Sequence, residues 1–161
     1  MNKAVAIVGP SGSGKTELIC HLLDWFQGRG YRVAVLKHSF KPNLGDEGKD
    51  TGRYRRAGAR LVALAAPGLL QITRFSQEEP RLAAVLAALA PEADLILVEG
   101  YKSSPLPKVA LLHPQKEPTP PAYPQVIALV SPEPLASPLP VFQPGQVAEL
   151  GGFLEKFLGL P

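Results

Sequence analysis

Cysteine is nearly absent from this chain. The single Cys20 excludes an internal disulfide and a cysteine-rich zinc site. Its place inside an apolar helical pattern predicts a buried filler rather than a nucleophile. No apolar run reaches the ~18 residues that a membrane-spanning helix needs, so no membrane partner is expected. The N-terminal stretch runs into glycines too soon for a signal peptide, and the expected location is cytoplasmic. Charged residues are few, at 19%, and the net charge is only +3. Aromatics amount to 7%, and within the basic stretch Arg29–Arg60 only Tyr54 lies inside the arginine cluster Arg53–Arg60, with Tyr31 and Phe40 scattered before it. A nucleic-acid platform needs aromatic stacking residues between its cations, so no nucleic-acid partner is expected. One methionine and one cysteine beside 18 prolines suit a thermophile or a GC-rich genome.

What remains is a globular composition, with 45% apolar residues in 161, enough for a single domain spanning the whole chain around one core. The positive charge is uneven. Arg29, Arg32, Lys37, Lys41, Lys49, Arg53, Arg55, Arg56 and Arg60 are opposed over the same stretch by Asp46, Glu47 and Asp50 alone, a balance suited to an anionic ligand or an acidic protein.

Periodicity orders the chain. Lys3–Val8 reads as a strand, Gly9–Gly14 as a glycine-rich turn, and Lys15–Gln27 as a helix with Leu18, Ile19, Leu22, Leu23 and Phe26 at helical spacing. Tyr31–Leu36 is a second strand, which makes a βαβ unit with parallel strands. A polar loop, Ser39–Gly52, leads to a short basic helix over Arg53–Ala59. Leu61–Ala66 and Leu69–Thr73 flank Pro67-Gly68 as a hairpin. Ser76 and Glu79 form a capping-box pattern ahead of a helix through Leu82, Val85, Leu86 and Leu89. Asp94–Val98, Lys108–Leu112 and Val126–Val130 are further strands. The proline-rich segments between the last two and over Pro132–Pro144 read as irregular, and a helix closes the chain from Val147 to Leu158. The fold class that follows is α/β, a largely parallel sheet flanked by helices on both faces.

Gly9-Pro10-Ser11-Gly12-Ser13-Gly14-Lys15-Thr16 fits the phosphate-binding pattern G-x-x-x-x-G-K-[ST] without a mismatch. Glycines let successive backbone N–H groups turn toward a β-phosphate. The helix starting at Lys15 faces the anion with its positive end. Lys15 adds a full charge, and Thr16 offers a hydroxyl to Mg²⁺. The flanking strand and helix give the pattern its required context. A second oxygen donor for the metal is expected at the end of an apolar strand, where Glu99 follows Leu95–Val98; it would hold the metal or orient a water. Asp50, in Gly48-Lys49-Asp50-Thr51, is the other candidate for metal or water. Lys37 and His38 close the second strand, at the carboxyl end where open parallel sheets bind ligands. With His21 and His113 far apart in sequence, no metal cluster is read, and His38 is taken as a hydrogen-bonding residue.

The ordered set Lys37-His38, Gly48-Lys49-Asp50-Thr51, Ala57-Gly58-Ala59, Val98-Glu99-Gly100-Tyr101-Lys102 and Pro107-Lys108-Val109, behind the glycine loop, resembles molybdopterin-guanine dinucleotide biosynthesis protein B (MobB) over roughly residues 3–130. The resemblance implies a P-loop fold, a homodimer, and GTP with Mg²⁺ as cofactors. It implies a weak GTPase that assists the enzyme attaching GMP to molybdopterin. Its partner would be that molybdopterin guanylyltransferase (MobA-like), with molybdopterin itself as a further ligand. Carried over residue by residue, Lys15 and Thr16 hold phosphate and Mg²⁺, Asp50 and Glu99 serve metal or water, and Lys37, His38 and Arg53 fall near the phosphates. The chain departs from the family where a histidine- and aspartate-rich stretch is replaced by Ser39–Asp46. The Asn-Lys-x-Asp signature of common GTPases is also absent. Glu133, after the strand Val126–Val130, is a candidate acceptor for guanine.

A different class, a small-molecule kinase, would need an arginine-bearing lid, for which Arg53, Arg55, Arg56 and Arg60 are the candidates. A nickel metallochaperone would need a Cys/His cluster that the sequence does not contain.

Overall fold

The computed structural model describes residues 3–41, 44–116 and 122–161. Two compact units divide it, one formed by the chain up to Ser39 together with Val85–Pro161, the other by Phe40–Ala84.

The first unit is built on six parallel strands in the order β2-β5-β1-β6-β7-β8. They are β1 (Ala4–Val8), β2 (Val33–Lys37), β5 (Leu95–Glu99), β6 (Lys108–Leu111), β7 (Val126–Val130) and β8 (Val141–Phe142). β1 is apolar throughout and wholly buried, as a central strand covered on both faces must be. It pairs with β5 from Ala4↔Ile96 to Ile7↔Glu99 and with β6 from Ala6↔Lys108 to Val8↔Ala110. Alternation then divides the side chains. Val5, Ile7, Leu95, Leu97, Val109 and Leu111 join Leu18, Ile19, Leu22 and Phe26 of α1 (Lys15–Gln27) and Leu150 and Leu154 of α4 (Val147–Leu158) in one core. α4 lies close against α1 because Gly151 has no side chain, and a Cβ there would come within 2.6 Å of Trp25 Cε3.

The register at the lower ends of β2 and β5 is locked by Arg32 and Asp94. Arg32 N–H and Nη2 donate to the two carboxylate oxygens at 2.9 and 2.8 Å, and Asp94 N–H donates back to the Arg32 carbonyl at 2.8 Å.

The second unit holds α2 (Asp50–Arg56) and the antiparallel hairpin of β3 (Leu61–Ala66) and β4 (Leu69–Arg74). The Pro67-Gly68 turn is as expected, with Gly68 at φ +74°. α2 starts three residues earlier than expected, after Lys49 as its cap. Asp50 in the first turn and Arg53, Arg55 and Arg56 in the last suit the helix dipole. Gly52 is inside the helix because its Cα approaches the Asp46 carbonyl, which a Cβ would meet at 2.2 Å. One face of the hairpin carries Leu61, Ala63, Ala65, Leu70 and Ile72 side by side, and its large members are more than half exposed.

Three expectations are corrected. Ser76 caps no helix: its hydroxyl donates to the Glu78 carbonyl at 2.5 Å, and α3 (Leu82–Leu89) begins only beyond Pro80, which disfavours helical backbone before it. Cys20 is exposed, since it lies off the stripe of Leu18, Ile19, Leu22 and Phe26. The segment Pro132–Pro144 contains β8, a two-residue strand too short to leave a periodicity. Parts of two loops read from the sequence, residues 42–43 and 117–121, lie outside the described residues. No helix among the described residues is long and apolar enough to cross a membrane.

Candidate functional site

β1 delivers the glycine loop to the carboxyl edge of the sheet. Gly9 has φ +152°, and a Cβ there would stand 2.7 Å from the Leu111 carbonyl and 2.9 Å from Ser13 Oγ, so only glycine fits. Ser13 N–H closes the turn on the Pro10 carbonyl at 3.3 Å. Gly14, at φ +88°, opens α1 with no side-chain cap, so the first N–H groups of the helix face the loop without a competing side chain. Ser13 Oγ is buried and finds no hydrogen-bond partner among the described residues. The ammonium of Lys15 folds back over the loop and donates to the Pro10 carbonyl at 2.7 Å.

Because β5 lies directly beside β1, the last residue of β5 comes to the first turn of α1. Thr16 Oγ1 donates to Glu99 Oε2 at 3.0 Å across 83 residues of sequence. Lys37, the last residue of β2, places Nζ 3.3 Å from Glu99 Oε1. One carboxylate, 13% exposed, is thus held by a hydroxyl on one oxygen and an ammonium on the other. His38 follows. Its N–H donates to the Glu99 carbonyl at 3.0 Å, and its ring lies 4.5 Å from that of Tyr101. Gly100, at φ +98°, makes that approach possible, since a Cβ would be 3.2 Å from His38 Cβ.

Gly9–Thr16, Lys37, His38 and Glu99 therefore converge at one edge of the first unit. Asp50 and Arg53 lie on α2 of the second unit, both exposed, and pair with one another at 3.6 Å. Of the late-strand segment Val130–Glu133, Pro132 faces a cavity of about 390 Å³ beside the glycine loop, while Glu133 is bound through its own backbone to Ser131 Oγ.

Two lysines were given no role by the sequence reading. Lys108 is fully buried, and its Nζ donates to the Ser104 and Leu106 carbonyls at 2.5 and 2.8 Å, pinning the turn that follows Glu99 and Tyr101. Burial pushes its pKa below the usual lysine range. A lysine heading an otherwise apolar strand was the available signal. Lys116, in the proline-rich segment, reaches Ser11, donating to its carbonyl at 2.7 Å. No sequence pattern marks it.

A parallel sheet whose first strand feeds a glycine loop and a helix, with a carboxylate at the end of the neighbouring strand, defines a P-loop NTPase fold. Residues 4–132 match the family Molybdopterin guanine dinucleotide synthesis protein B (MobB), and the chain belongs to that family. It is 35% identical to the molybdopterin-guanine dinucleotide biosynthesis adapter protein of Haemophilus influenzae over 96% of this chain and 88% of that one. It is 39% identical to a probable adapter protein of the same name from Bacillus subtilis, over 67% of this chain and 64% of that protein. The crystal structure of a MobB protein homolog from Bacillus stearothermophilus superposes with a TM-score of 0.76 at 30% identity, covering 100% of both chains. The expectations of a P-loop fold and of a role in molybdenum cofactor biosynthesis are met by this membership.

Proposed function

We propose that the chain binds Mg²⁺-GTP on Gly9–Thr16, hydrolyses it slowly, and acts in the cytoplasm as a homodimeric adapter for the molybdopterin guanylyltransferase that joins GMP to molybdopterin. The observation that carries the nucleotide reading is the meeting of Thr16 and Glu99 beside Lys15 and an uncapped helix start. A hydroxyl and a carboxylate oxygen are the hard donors that Mg²⁺ takes while keeping several waters. Thr16 and Glu99 would hold the ion, which when bound neutralises charge on the β- and γ-phosphates. Lys15 would leave the Pro10 carbonyl for the phosphates. Lys37 balances Glu99, and His38, its ring tilted against that of Tyr101, keeps the end of β2 against it. Both oxygens of Glu99 are already engaged, by Thr16 and Lys37, which agrees with slow hydrolysis and a nucleotide state read by a partner. The proposed site is confined to the first unit. The apolar hairpin face of the second unit supports the homodimer, because a surface of that kind is stabilised by being covered.

The test is Lys15→Ala. Lys15 has no apolar role, so the fold should persist while Mg²⁺-GTP affinity falls at least ~100-fold, the cost of removing a charge from a hydrogen-bonded anion site. A folded variant that binds GTP as before would overturn the assignment.

A further inference from the structure

β5 and β6 lie on opposite sides of β1, so the chain between them must pass β1 to change sides. A parallel connection ordinarily takes roughly a dozen residues or more and a helix. Here residues 100–107 make it with no helix. The turn is correspondingly sharp: Gly100 and Tyr101 stand in succession at φ +98° and +55°. For Gly100 that conformation is free, but for Tyr101 it is strained, and such strain persists only where the surroundings enforce it. Gly100 N–H donates to the Ile7 carbonyl at 3.1 Å, Ser104 N–H to the Tyr101 carbonyl at 3.0 Å, and Ala6 N–H to the Pro107 carbonyl at 2.9 Å. The middle of the turn is held from below by Lys108. Val109 and Leu111 face the core against α1, so alternation turns Lys108 to the other face of the sheet. There it is fully buried and donates to the Ser104 and Leu106 carbonyls. Burying an ammonium is costly, and an apolar residue would continue the strand without that cost. The charge therefore answers a demand of the turn rather than of the strand.

We infer that Lys108 is a positioning residue for Glu99, acting through the turn: by fixing the Ser104 and Leu106 carbonyls it holds Tyr101 against His38, and with it the end of β2 that carries Lys37. The inference rests on the proposal that Glu99 acts on the metal ion or water of a bound nucleotide. Each link is a contact. The Tyr101 ring lies 4.5 Å from that of His38, His38 N–H donates to the Glu99 carbonyl at 3.0 Å, and Lys37 Nζ stands 3.3 Å from Glu99 Oε1. Glu99 itself reaches Thr16 on the α1 side of the sheet, the face away from Lys108. A slackened turn would free Tyr101 to leave its strained backbone, and the carboxylate would lose the neighbours that fix its aim.

The test uses Lys108→Met, which keeps an unbranched buried side chain and removes the donor, beside Tyr101→Leu, which removes the ring; circular dichroism checks the fold of each. Without nucleotide, the NMR resonances of the His38 ring protons carry the ring-current shift of Tyr101, and Tyr101→Leu supplies their unshifted position. Lys108→Met should move them most of the way there. With Mg²⁺-GTP, both variants should lower single-turnover hydrolysis by about tenfold to a hundredfold, the usual cost of a small misplacement, while affinity stays within about threefold. The double variant should fall no further than Lys108→Met alone, because both changes break one path. A Lys108→Met protein that is less stable but keeps the His38 shift and the hydrolysis rate has lost only a structural contact, and the inference is overturned. Additive losses in the double variant overturn the path through Tyr101. If Lys108→Met does not fold, Tyr101→Leu decides at a half-buried position, since unchanged hydrolysis there removes the link to Glu99. If the unaltered protein binds no GTP, the nucleotide reading falls by itself, and the His38 shift still decides whether Lys108 holds Tyr101.

Discussion

Glu99 shows how much chemistry one side chain can gather when a sheet brings it to the right edge. Its charge faces a hydroxyl and an ammonium, so replacing it with the isosteric amide keeps the shape and removes the charge. Glu99→Gln is expected to lower single-turnover GTP hydrolysis by about tenfold or more, with a smaller change in Mg²⁺-GTP affinity, because a group that acts on water or metal contributes chiefly to the chemical step. Equal rates and affinities in both proteins would reduce Glu99 to a strand-end carboxylate. At this scale the loop was legible residue by residue, since each of its glycines and its Lys-Thr pair answers a local geometric demand. Glu99 was legible as the residue ending an apolar run. Lys108 and Lys116 were less so: Lys108 showed only as a lysine heading an apolar strand, with its burial unseen, and the reach of Lys116 to Ser11 across 105 residues leaves no mark on neighbouring sequence.

Among the elements, the α1–α4 contact turns on one missing methyl group. Gly151→Ala should destabilise by about 1–3 kcal/mol, as overpacking does, because the new Cβ meets three atoms of the Trp25 indole at 2.6–2.9 Å. Gly152→Ala, where a Cβ meets nothing within 4 Å, should instead stabilise by about 0.5–1 kcal/mol through helix propensity. Denaturant unfolding followed by the fluorescence of the single tryptophan separates them, and equal effects would deny the close packing. The β2–β5 register gives a pH prediction. Hydrogen bonds from Arg32 hold the Asp94 carboxyl below its ordinary 3.8. The unfolded chain therefore takes up this proton first as pH falls. The pair's stabilisation is complete above the ordinary value and is lost as pH drops through the depressed one. Unfolding midpoints of the unaltered protein and of Asp94→Asn should differ at neutral pH and converge in acid; a constant gap would contradict the linkage. Strong periodicity made α1, α4, β7 and the hairpin readable to within a residue or two. α2 was misplaced because its first turn is polar and contains a glycine that only the Asp46 carbonyl explains, and β8 was missed because two residues carry no period.

For the molecule as a whole, the sequence implied parallel strands but not their order. β1 and β2 are consecutive, yet β5 lies between them, and it is this insertion that brings Glu99 to Thr16 and Lys37. No local pattern encodes a pairing across some ninety residues, so the carboxylate was expected near the site by analogy of position, and its two partners were not. The proposed adapter role belongs to this scale as well. The stretch Lys37–Arg60 is basic, and slow turnover by the chain alone suits a protein whose nucleotide state is read by another. We expect direct association with the molybdopterin guanylyltransferase of the same pathway, stronger with GTP and Mg²⁺ than without, and weakening as salt rises from low to physiological strength because charges on an exposed surface are screened within ~10 Å. Calorimetric titration of that enzyme with this protein, at two salt concentrations and with and without nucleotide, measures this. A phosphoryl-transfer screen against small alcohols and nucleosides belongs beside it. No association under any condition, together with rapid transfer to a small acceptor, would replace the adapter with a kinase and assign Arg53, Arg55, Arg56 and Arg60 to a lid.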